Sequence, residues 1–198
     1  MASPAHDPRT AVAAAVKQYR ADADVAKLLA RLEAVCTETA DPGALVAAVE
    51  PYREMHEVAG PVYERVVERD PENADALVAL ANAYWLTGRG PDVVGALASR
   101  ALTADPSNRA AWHLWALTEP SPRGRMTRWH QVTTRFPADK LAHAALADNA
   151  TSVASAENDP VALKLALGTY EMLLADAATD AERAALSNSL GTLRKWKL

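Results

Sequence analysis

The chain has 198 residues, of which 49% are hydrophobic and 23% charged, and it carries a net charge of −4. This length can bury a hydrophobic core, the proportions are ordinary for a globular protein, and a slightly acidic balance is not that of a general nucleic-acid binder. No run of 18 apolar residues occurs, so no membrane-spanning helix is expected.

Residues 1–39 are expected to form N-terminal helices that act as a cap or as a degenerate repeat. Asp7 followed by Pro8 is typical of a helix start, because Asp caps the first turn and Pro is tolerated within it. Two helices are predicted over residues 8–38, with a break near residues 22–24. No leader sequence is recognised before Asp7, since the segment has neither a basic nor a long apolar stretch.

Two helical hairpins are predicted next, over residues 40–73 and 74–108. In the first of them, Pro51 interrupts the opening helix, and Pro61 is acceptable only in the first turn of the closing helix. The second hairpin opens with apolar or small residues at helical spacing, at Leu77, Leu80, Ala81 and Tyr84.

Gly88 is expected to end this opening helix in the left-handed conformation. The closing helix of the hairpin should end at Asp105-Pro106, because proline cannot continue a helix and disfavours helical angles in the residue before it.

Weaker hairpins are predicted over residues 109–139 and 140–178. Pro120 and Pro122 shorten the opening helix of the first, and the last hairpin spans a helix from Lys140 to Ser155 and another that ends near Ala175. Residues 179–198 should form a C-terminal capping helix, which starts with the capping-box pattern of Thr followed three residues later by Glu. One continuous domain is expected.

A repeated motif joins these hairpins. Asp70-Pro71-Glu72-Asn73 and Asp105-Pro106-Ser107-Asn108 begin 35 residues apart, and a cruder copy lies at Phe136-Pro137-Ala138-Asp139. Self-similarity with a period near 34 residues is typical of stacked helical hairpins.

Residues 74–108 resemble a tetratricopeptide repeat. That family has a small residue at its eighth position, an aromatic at its eleventh, Gly at its fifteenth, Ala-Leu late in the second helix and Asp-Pro at the end; here these are Ala81, Tyr84, Gly88, Ala101-Leu102 and Asp105-Pro106. Leu77 stands where Trp is usual, and one residue is inserted in the turn. The resemblance implies an all-α, right-handed α-solenoid of about four such hairpins with terminal helices, acting as a protein–protein interaction module.

The same resemblance predicts a binding groove. In this family, positions two, five, nine and twelve of each first helix face the concave side. We expect Trp85 to supply apolar contact area, Asn82 to hydrogen-bond a partner's backbone and Asp148 to prefer a basic group. The full predicted set is Asp75, Asn82, Trp85, His113, Asp148 and Thr151, with Arg109 at the edge of the groove.

The remaining tryptophans are expected to pack. Trp112, Trp115 and Trp129 fall at core positions of the repeat, and so does His143. Trp196 is expected to anchor the terminal helix.

No catalytic, metal or cofactor motif is recognised. His56-Glu57 begins like a zinc-protease motif, but Gly60 stands where the second His is needed. Cys36 has no helix-start or basic context that would lower its pKa, and Gly-x-Ser-x-Gly and phosphate-loop sequences are absent. We therefore expect a protein without enzymatic activity and without a bound metal or cofactor.

Two alternatives to a groove-binding adaptor stay open at this stage. One is a self-assembling structural protein, since residues 1–73 contain 13 acidic and eight basic residues while the rest of the chain is slightly positive. The other is an accessory subunit of an enzyme complex, with a small-molecule pocket between helices. The arginine-rich segment over residues 123–135 is interpreted as a solvated helix face that could pair with the acidic part of a neighbouring chain, with a phosphate or nucleic-acid patch as the alternative.

The single cysteine favours a reducing compartment, and the cytoplasm is the expected location. The alanine-rich composition and the preference for arginine over lysine are typical of a bacterial protein of high-GC coding sequence.

Overall fold

A computed structural model describes residues 7–197, and within that range the regular structure is entirely helical, which confirms the predicted all-α class. None of the helices in residues 7–197 combines the length and apolar character needed to cross a bilayer. The segment in which no leader was recognised lies outside the described residues. The helices are α1 (Pro8–Asp22), α2 (Val25–Glu38), α3 (Pro42–Val49), α4 (His56–Arg69), α5 (Ala74–Leu86), α6 (Pro91–Ala104), α7 (Arg109–Leu117), α8 (Pro122–Arg135), α9 (Lys140–Glu157), α10 (Pro160–Ala175) and α11 (Asp180–Leu193), with a short 3₁₀ turn at Glu50–Tyr52 after α3.

Short polar side chains determine where most of these helices begin. Each accepts a hydrogen bond from a backbone N–H of the first turn, which would otherwise have no partner. The Thr179 half of the predicted capping box is confirmed, since its hydroxyl accepts from the N–H of Glu182 at 3.1 Å, whereas the Glu182 carboxylate accepts from the N–H of Ala178, one residue before the cap, at 2.9 Å. The other side-chain caps are Asp7, Asp24, Asp41, Asn73, Asn108, Ser121, Asp139 and Asp159.

The Asp-Pro dipeptide has two different roles in this chain. At Asp41 and Asp159 the carboxylate caps a helix, and the following proline occupies the first position of that helix. Asp70 instead lies just after the end of α4, and the cap of α5 comes three residues later at Asn73, whose amide donates to the Asp70 carboxylate at 3.0 Å. The repeated Asp-Pro-x-Asn motif is therefore a helix stop joined to a helix start.

The contacts of the chain divide it into two compact units, and the division falls within α7, after Leu114. In the first unit, α5 packs against both α4 and α6. Buried apolar residues lie on most sides of α5, and its small alanines let α4 and α6 approach closely. The buried residues of α5 are Ala76, Leu77, Val78, Ala79, Leu80, Ala81 and Ala83.

In the second unit, α9 packs against α8 and α10, while α11 packs against α10. The core here joins Ala147 and Ala150 of α9 to Tyr170 of α10 and Leu190 of α11. The predicted anchoring of the terminal helix is confirmed, because Trp196 packs against this cluster.

Pro61 departs from the sequence prediction. α4 begins at His56, so Pro61 lies in the second turn of the helix instead of the first. The start is fixed at Met55, whose carbonyl accepts the N–H groups of both Val58 and Ala59 at 2.8 Å. An internal proline costs about 3 kcal/mol in an exposed helix, and burial of the surrounding α4 residues offsets that cost.

The tryptophans differ in burial. Core packing is confirmed for Trp129, which is 6% exposed, whereas Trp112 and Trp115 are half-buried. The Trp112 indole N–H donates to the carbonyl of Pro106 at 2.9 Å. His143 is also only half-buried, and its Nε2 lies 3.0 Å from the carbonyl oxygen of Pro137.

Gly88 confirms the predicted end of the first helix in the clearest repeat. Its φ is +80°, in the left-handed region that residues with a Cβ disfavour. The N–H of Arg89 then bonds back to the carbonyl of Tyr84 at 2.9 Å, which closes the helix end as in a Schellman-type cap.

The burial of α5 generates a stability prediction. Leu77 is fully buried, whereas Leu86 at the end of the same helix is 61% exposed. Leu77→Ala should lower the free energy of unfolding by about 2–5 kcal/mol because it opens a cavity. Leu86→Ala, the matched control, should change it by no more than about 0.5 kcal/mol. Urea unfolding followed by circular dichroism measures both, and equal effects would contradict the assigned packing of α5.

Candidate functional site

The exposed face of α5 carries two of the predicted groove residues. Asn82, Trp85 and Leu86 are spaced three and four residues apart and therefore share one side of the helix. Trp85 is 38% exposed and Leu86 61% exposed, so this side presents apolar area that neighbouring helices do not cover.

Asn82 and Leu86 line a pocket of about 600 Å³, named here the Asn82 pocket. Its other walls come from the 3₁₀ turn after α3 and from the start of α4. These walls bring charges of both signs to the pocket, and sequence reasoning did not identify them. The additional lining residues are Glu50, Pro51, Arg53, Glu54, His56, Ala79 and Ala83.

The amide of Asn82 is available to a ligand. Within residues 7–197 its side chain forms no hydrogen bond, and it is partly exposed. An asparagine side chain offers two donors and an acceptor, which matches the alternating groups of an extended peptide backbone.

The other predicted residues of the first unit lie outside this pocket. Asp75 accepts a hydrogen bond from the Asn108 side chain at 3.1 Å, which ties the start of α5 to the cap of α7. Arg109 is exposed and His113 half-buried on α7, both have interactions within the protein, and neither lines the Asn82 pocket. The structure therefore brings Asn82 and Trp85 together but gives Asp75 a structural partner.

The predicted residues of the second unit lie beside a separate pocket of about 330 Å³, named here the Thr151 pocket. Thr151 Oγ1 is buried and has no hydrogen-bond partner within residues 7–197. A buried hydroxyl without a partner carries a desolvation cost, so a ligand group that reaches it would gain that energy. The rest of the lining is Tyr170, Asn188, Ser189, Thr192, Leu193 and Trp196.

Asp148 and Tyr170 form a hydrogen-bonded pair at this pocket. The Tyr170 hydroxyl donates to Asp148 Oδ1 at 2.5 Å. Burial, followed by the adjacent Asp148 carboxylate, raises the pKa of Tyr170 to about 12. The phenol is therefore a neutral donor at physiological pH, and one carboxylate oxygen of Asp148 is already engaged.

Asn188 lines the Thr151 pocket but is not in the predicted groove set, although its position in the sequence could have indicated it. It is the ninth residue of α11, just as Asn82 is the ninth residue of α5 and Asp148 the ninth of α9. The rule that selected Asn82 and Asp148 selects Asn188 once α11 is treated as the first helix of a further repeat. Tyr170 and Trp196 lie outside such positions and became recognisable only through tertiary contacts.

The arginine-rich segment does not form a free basic patch. Arg123 Nη2 lies 2.7 Å from Asp159 Oδ2 and its Nε 2.9 Å from Glu157 Oε2. Arg128 pairs with Glu119 at 2.7 Å and stacks on the Trp115 ring at 4.4 Å. Acidic and carbonyl groups within the second unit engage both arginines, while the Arg123 side chain is 49% exposed, as expected for a solvated helix face.

The described part of the chain contains no candidate metal site. Residues 7–197 hold no group of three or more His, Cys, Asp and Glu side chains arranged to bind a metal ion. His56 lies at the Asn82 pocket together with Glu50 and Glu54, but these three do not form such a group.

Comparisons with known proteins identify the fold. Neither a protein-family model nor a curated protein sequence matches the chain. Among solved structures, it is similar to YrrB, described as a TPR protein with an unusual peptide-binding site, with a TM-score of 0.61, 15% identity and coverage of 87% of this chain and 88% of that one. It is also similar to TTC0263, a thermophilic TPR protein of Thermus thermophilus, with a TM-score of 0.55, 16% identity and coverage of 96% and 100%. A third similar structure is that of MamA protein, with a TM-score of 0.58, 13% identity and coverage of 87% and 97%. The tetratricopeptide-repeat fold implied by residues 74–108 is thus confirmed.

The Asp148–Tyr170 pair generates a prediction for high pH. Folding favours the neutral phenol of Tyr170, so its contribution to stability should be present below pH 10, the ordinary tyrosine value, and lost as the pH rises to about 12. In a spectrophotometric titration, Tyr170→Phe should remove one phenol from the absorbance step near pH 12. Removal of a phenol from the step near pH 10 would contradict the pairing.

Cys36 gives a second chemical prediction. Its side chain is 1% exposed, and burial, together with the nearby Glu33 carboxylate, raises the pKa of the thiol to about 11. The native chain should therefore leave Ellman's reagent unreacted at pH 8, whereas the chain in denaturant should release one equivalent of product. Rapid reaction of the native protein would show that the thiol is accessible and the helix contacts around it are wrong.

Proposed function

We propose that this chain is a non-catalytic protein-interaction module that binds an extended peptide segment of a partner protein at the Asn82 pocket. The observation that carries the proposal is the unbonded amide of Asn82 beside the exposed Trp85 on one side of α5. The tetratricopeptide-repeat fold supports it, since such folds present pockets between helices, and a similar structure is described as having a peptide-binding site.

Each group at the pocket, and Trp85 beside it on α5, has a separate role in this proposal. Asn82 pairs with the backbone of the bound segment, which gives affinity without demanding one sequence. Trp85 and Leu86 cover an apolar side chain, and an exposed tryptophan is a frequent interface hot spot. Glu50 and Arg53, which lie 3.6 Å apart, offer both signs of charge at the rim and so select polar flanking residues.

The Thr151 pocket is a second candidate surface for the same activity. Its neutral lining of hydroxyl and amide groups, with Leu193 and Trp196 as apolar walls, suits a peptide backbone bearing one apolar side chain. The free oxygen of Asp148 favours a basic group next to it. Asp75, Arg109 and His113 stay predictions of the repeat pattern, and the proposal does not depend on them.

Affinity capture from a lysate of the source organism tests the Asn82 pocket. A partner retained by the wild-type chain should be lost by Asn82→Ala/Trp85→Ala, because the change removes both the amide and the apolar anchor. Once the partner is identified, calorimetry should show at least about 2 kcal/mol weaker binding, which is about 30-fold in Kd. Gln18→Ala/Leu29→Ala is the matched control, since Leu29 is 43% exposed on α2 and both residues lie outside the pocket.

Equal retention by both variants would contradict the assignment of the Asn82 pocket. Capture of this chain alone, accompanied by concentration-dependent oligomers in sedimentation, would favour the self-assembly alternative over the adaptor. Circular dichroism of each variant confirms that loss of binding is not loss of folding.

A further inference from the structure

The first unit contains a second groove, between α4 and α6, which shares no residue with the Asn82 pocket. This α4–α6 groove has a volume of about 690 Å³. Its floor is apolar and is built from buried residues of three helices, Val67 from α4, Leu80 from α5 and Leu97 from α6, while Val93 and Ala96 line its α6 side.

The α6 wall of the groove presents an apolar stripe that is only partly covered in the described part of the chain. Val93, Ala96, Leu97 and Arg100 recur at the spacing of one helix face. Leu97 is buried and belongs to the floor, but Val93 is 41% exposed and Ala96 is also exposed. A stripe of this kind is the surface that one helix normally uses to pack against another.

The rim of the groove is acidic. Glu64 and Glu68 line the α4 side, Asp92 lines the α6 side, and Arg100 is the one cation among the lining residues. Arg100 is engaged, since its Nη2 donates to the carbonyl of Pro71 at 3.2 Å.

The carboxylates of the rim differ in the hydrogen-bond and ion-pair partners that they already have. Glu64 accepts the Tyr84 hydroxyl at 2.6 Å, and Glu68 pairs with Arg65 at 2.8 Å on the exposed surface. Asp92 forms no ion pair within residues 7–197. The lining residues therefore hold three carboxylates against one cation, and a second cation, Arg89, lies beside them on the Tyr84 ring at 4.9 Å.

We infer that the α4–α6 groove binds a basic amphipathic helix of a partner protein. The apolar face of that helix would lie on the stripe that includes Val93 and Ala96, in the helix-in-groove mode. Its flanking lysines or arginines would pair with Glu64 and Asp92 across the groove, where charge complementarity sets orientation and association rate.

A second copy of this chain does not supply such a helix readily. α8 carries more basic residues than any other helix of residues 7–197, yet its Arg123 and Arg128 are paired with acidic groups inside their own unit. Arg125 is also engaged there, since it donates to the Asn149 side chain and to the carbonyl of Glu119. The occupant of the groove is therefore assigned to a different protein.

A titration of the full chain with a defined helical probe tests this inference. The probe is a synthetic peptide of about 18 residues, or five turns, with leucine at i, i+3, i+4 and i+7 and lysine on the flanks. A second peptide carries glutamate in place of every lysine. Calorimetry at 0.15 M NaCl should show binding of the lysine peptide and none of the glutamate peptide.

Two matched pairs of variants locate the binding on the chain. Glu64→Gln/Asp92→Asn should weaken the lysine peptide about tenfold, whereas Glu38→Gln/Asp180→Asn, which removes the same charge at exposed positions elsewhere, should leave its Kd unchanged. Val93→Ser should weaken binding as well, and Val25→Ser should not, although Val25 is 48% exposed.

The outcomes separate this groove from the proposed Asn82 pocket. Unchanged binding of the lysine peptide to Asn82→Ala/Trp85→Ala supports two independent surfaces. This holds whether or not the same variant loses the partner sought by affinity capture. Absence of binding, or equal weakening by both charge variants, would overturn the inference by showing either no site or a general attraction to acidic surface. Oligomers that disappear in Val93→Ser would overturn it too, since the occupant would then be a second copy.

Discussion

Both units depend on close packing around an alanine-rich helix. α5 in the first unit and α9 in the second are each contacted by the helix before and the helix after, and their alanines let backbones approach to distances at which dispersion contacts are dense. Ala76, Ala79, Ala81 and Ala83 of α5 are almost fully buried. Larger side chains at these positions would separate the neighbouring helices. Close helix packing therefore accounts for the high alanine content of the chain.

That constraint also determines where a ligand can bind. A helix covered on most sides has few side chains left for recognition, and on α5 these include the ninth and twelfth residues, Asn82 and Trp85, together with Leu86. The same count selects Asp148 and Thr151 on α9, beside a pocket whose far wall is α11. The same helix positions can therefore recognise different ligand groups, because one backbone geometry presents a different side chain in each repeat. The α4–α6 groove has a different origin. It lies between the closing helices of two successive hairpins, where an apolar stripe on α6 is only partly covered.

Much of the fold could be predicted from the sequence because its signals are local. Asp before Pro, Asn three residues after Asp, and Gly88 each act within one turn, and the helix bounds follow them closely. The start of α4 was not predictable in this way, since burial around Pro61 outweighs the local cost of an internal proline. The Asp148–Tyr170 hydrogen bond and the pairing of Arg128 with Glu119 join residues that are distant in sequence or separated by an irregular loop. For that reason the repeat position alone selects the candidate residues, whereas their hydrogen-bond and ion-pair partners become visible only in the tertiary structure.

Native-state hydrogen exchange of the full chain tests the central role of α5 and α9 most directly. If these helices hold their units together, their amides should open only with the unit as a whole and exchange more slowly than those of α6 and α10. Peptide-resolved mass spectrometry would then show the highest protection over residues 77–86 in the first unit and over residues 144–154 in the second. Higher protection in α6 than in α5, or in α10 than in α9, would contradict the account.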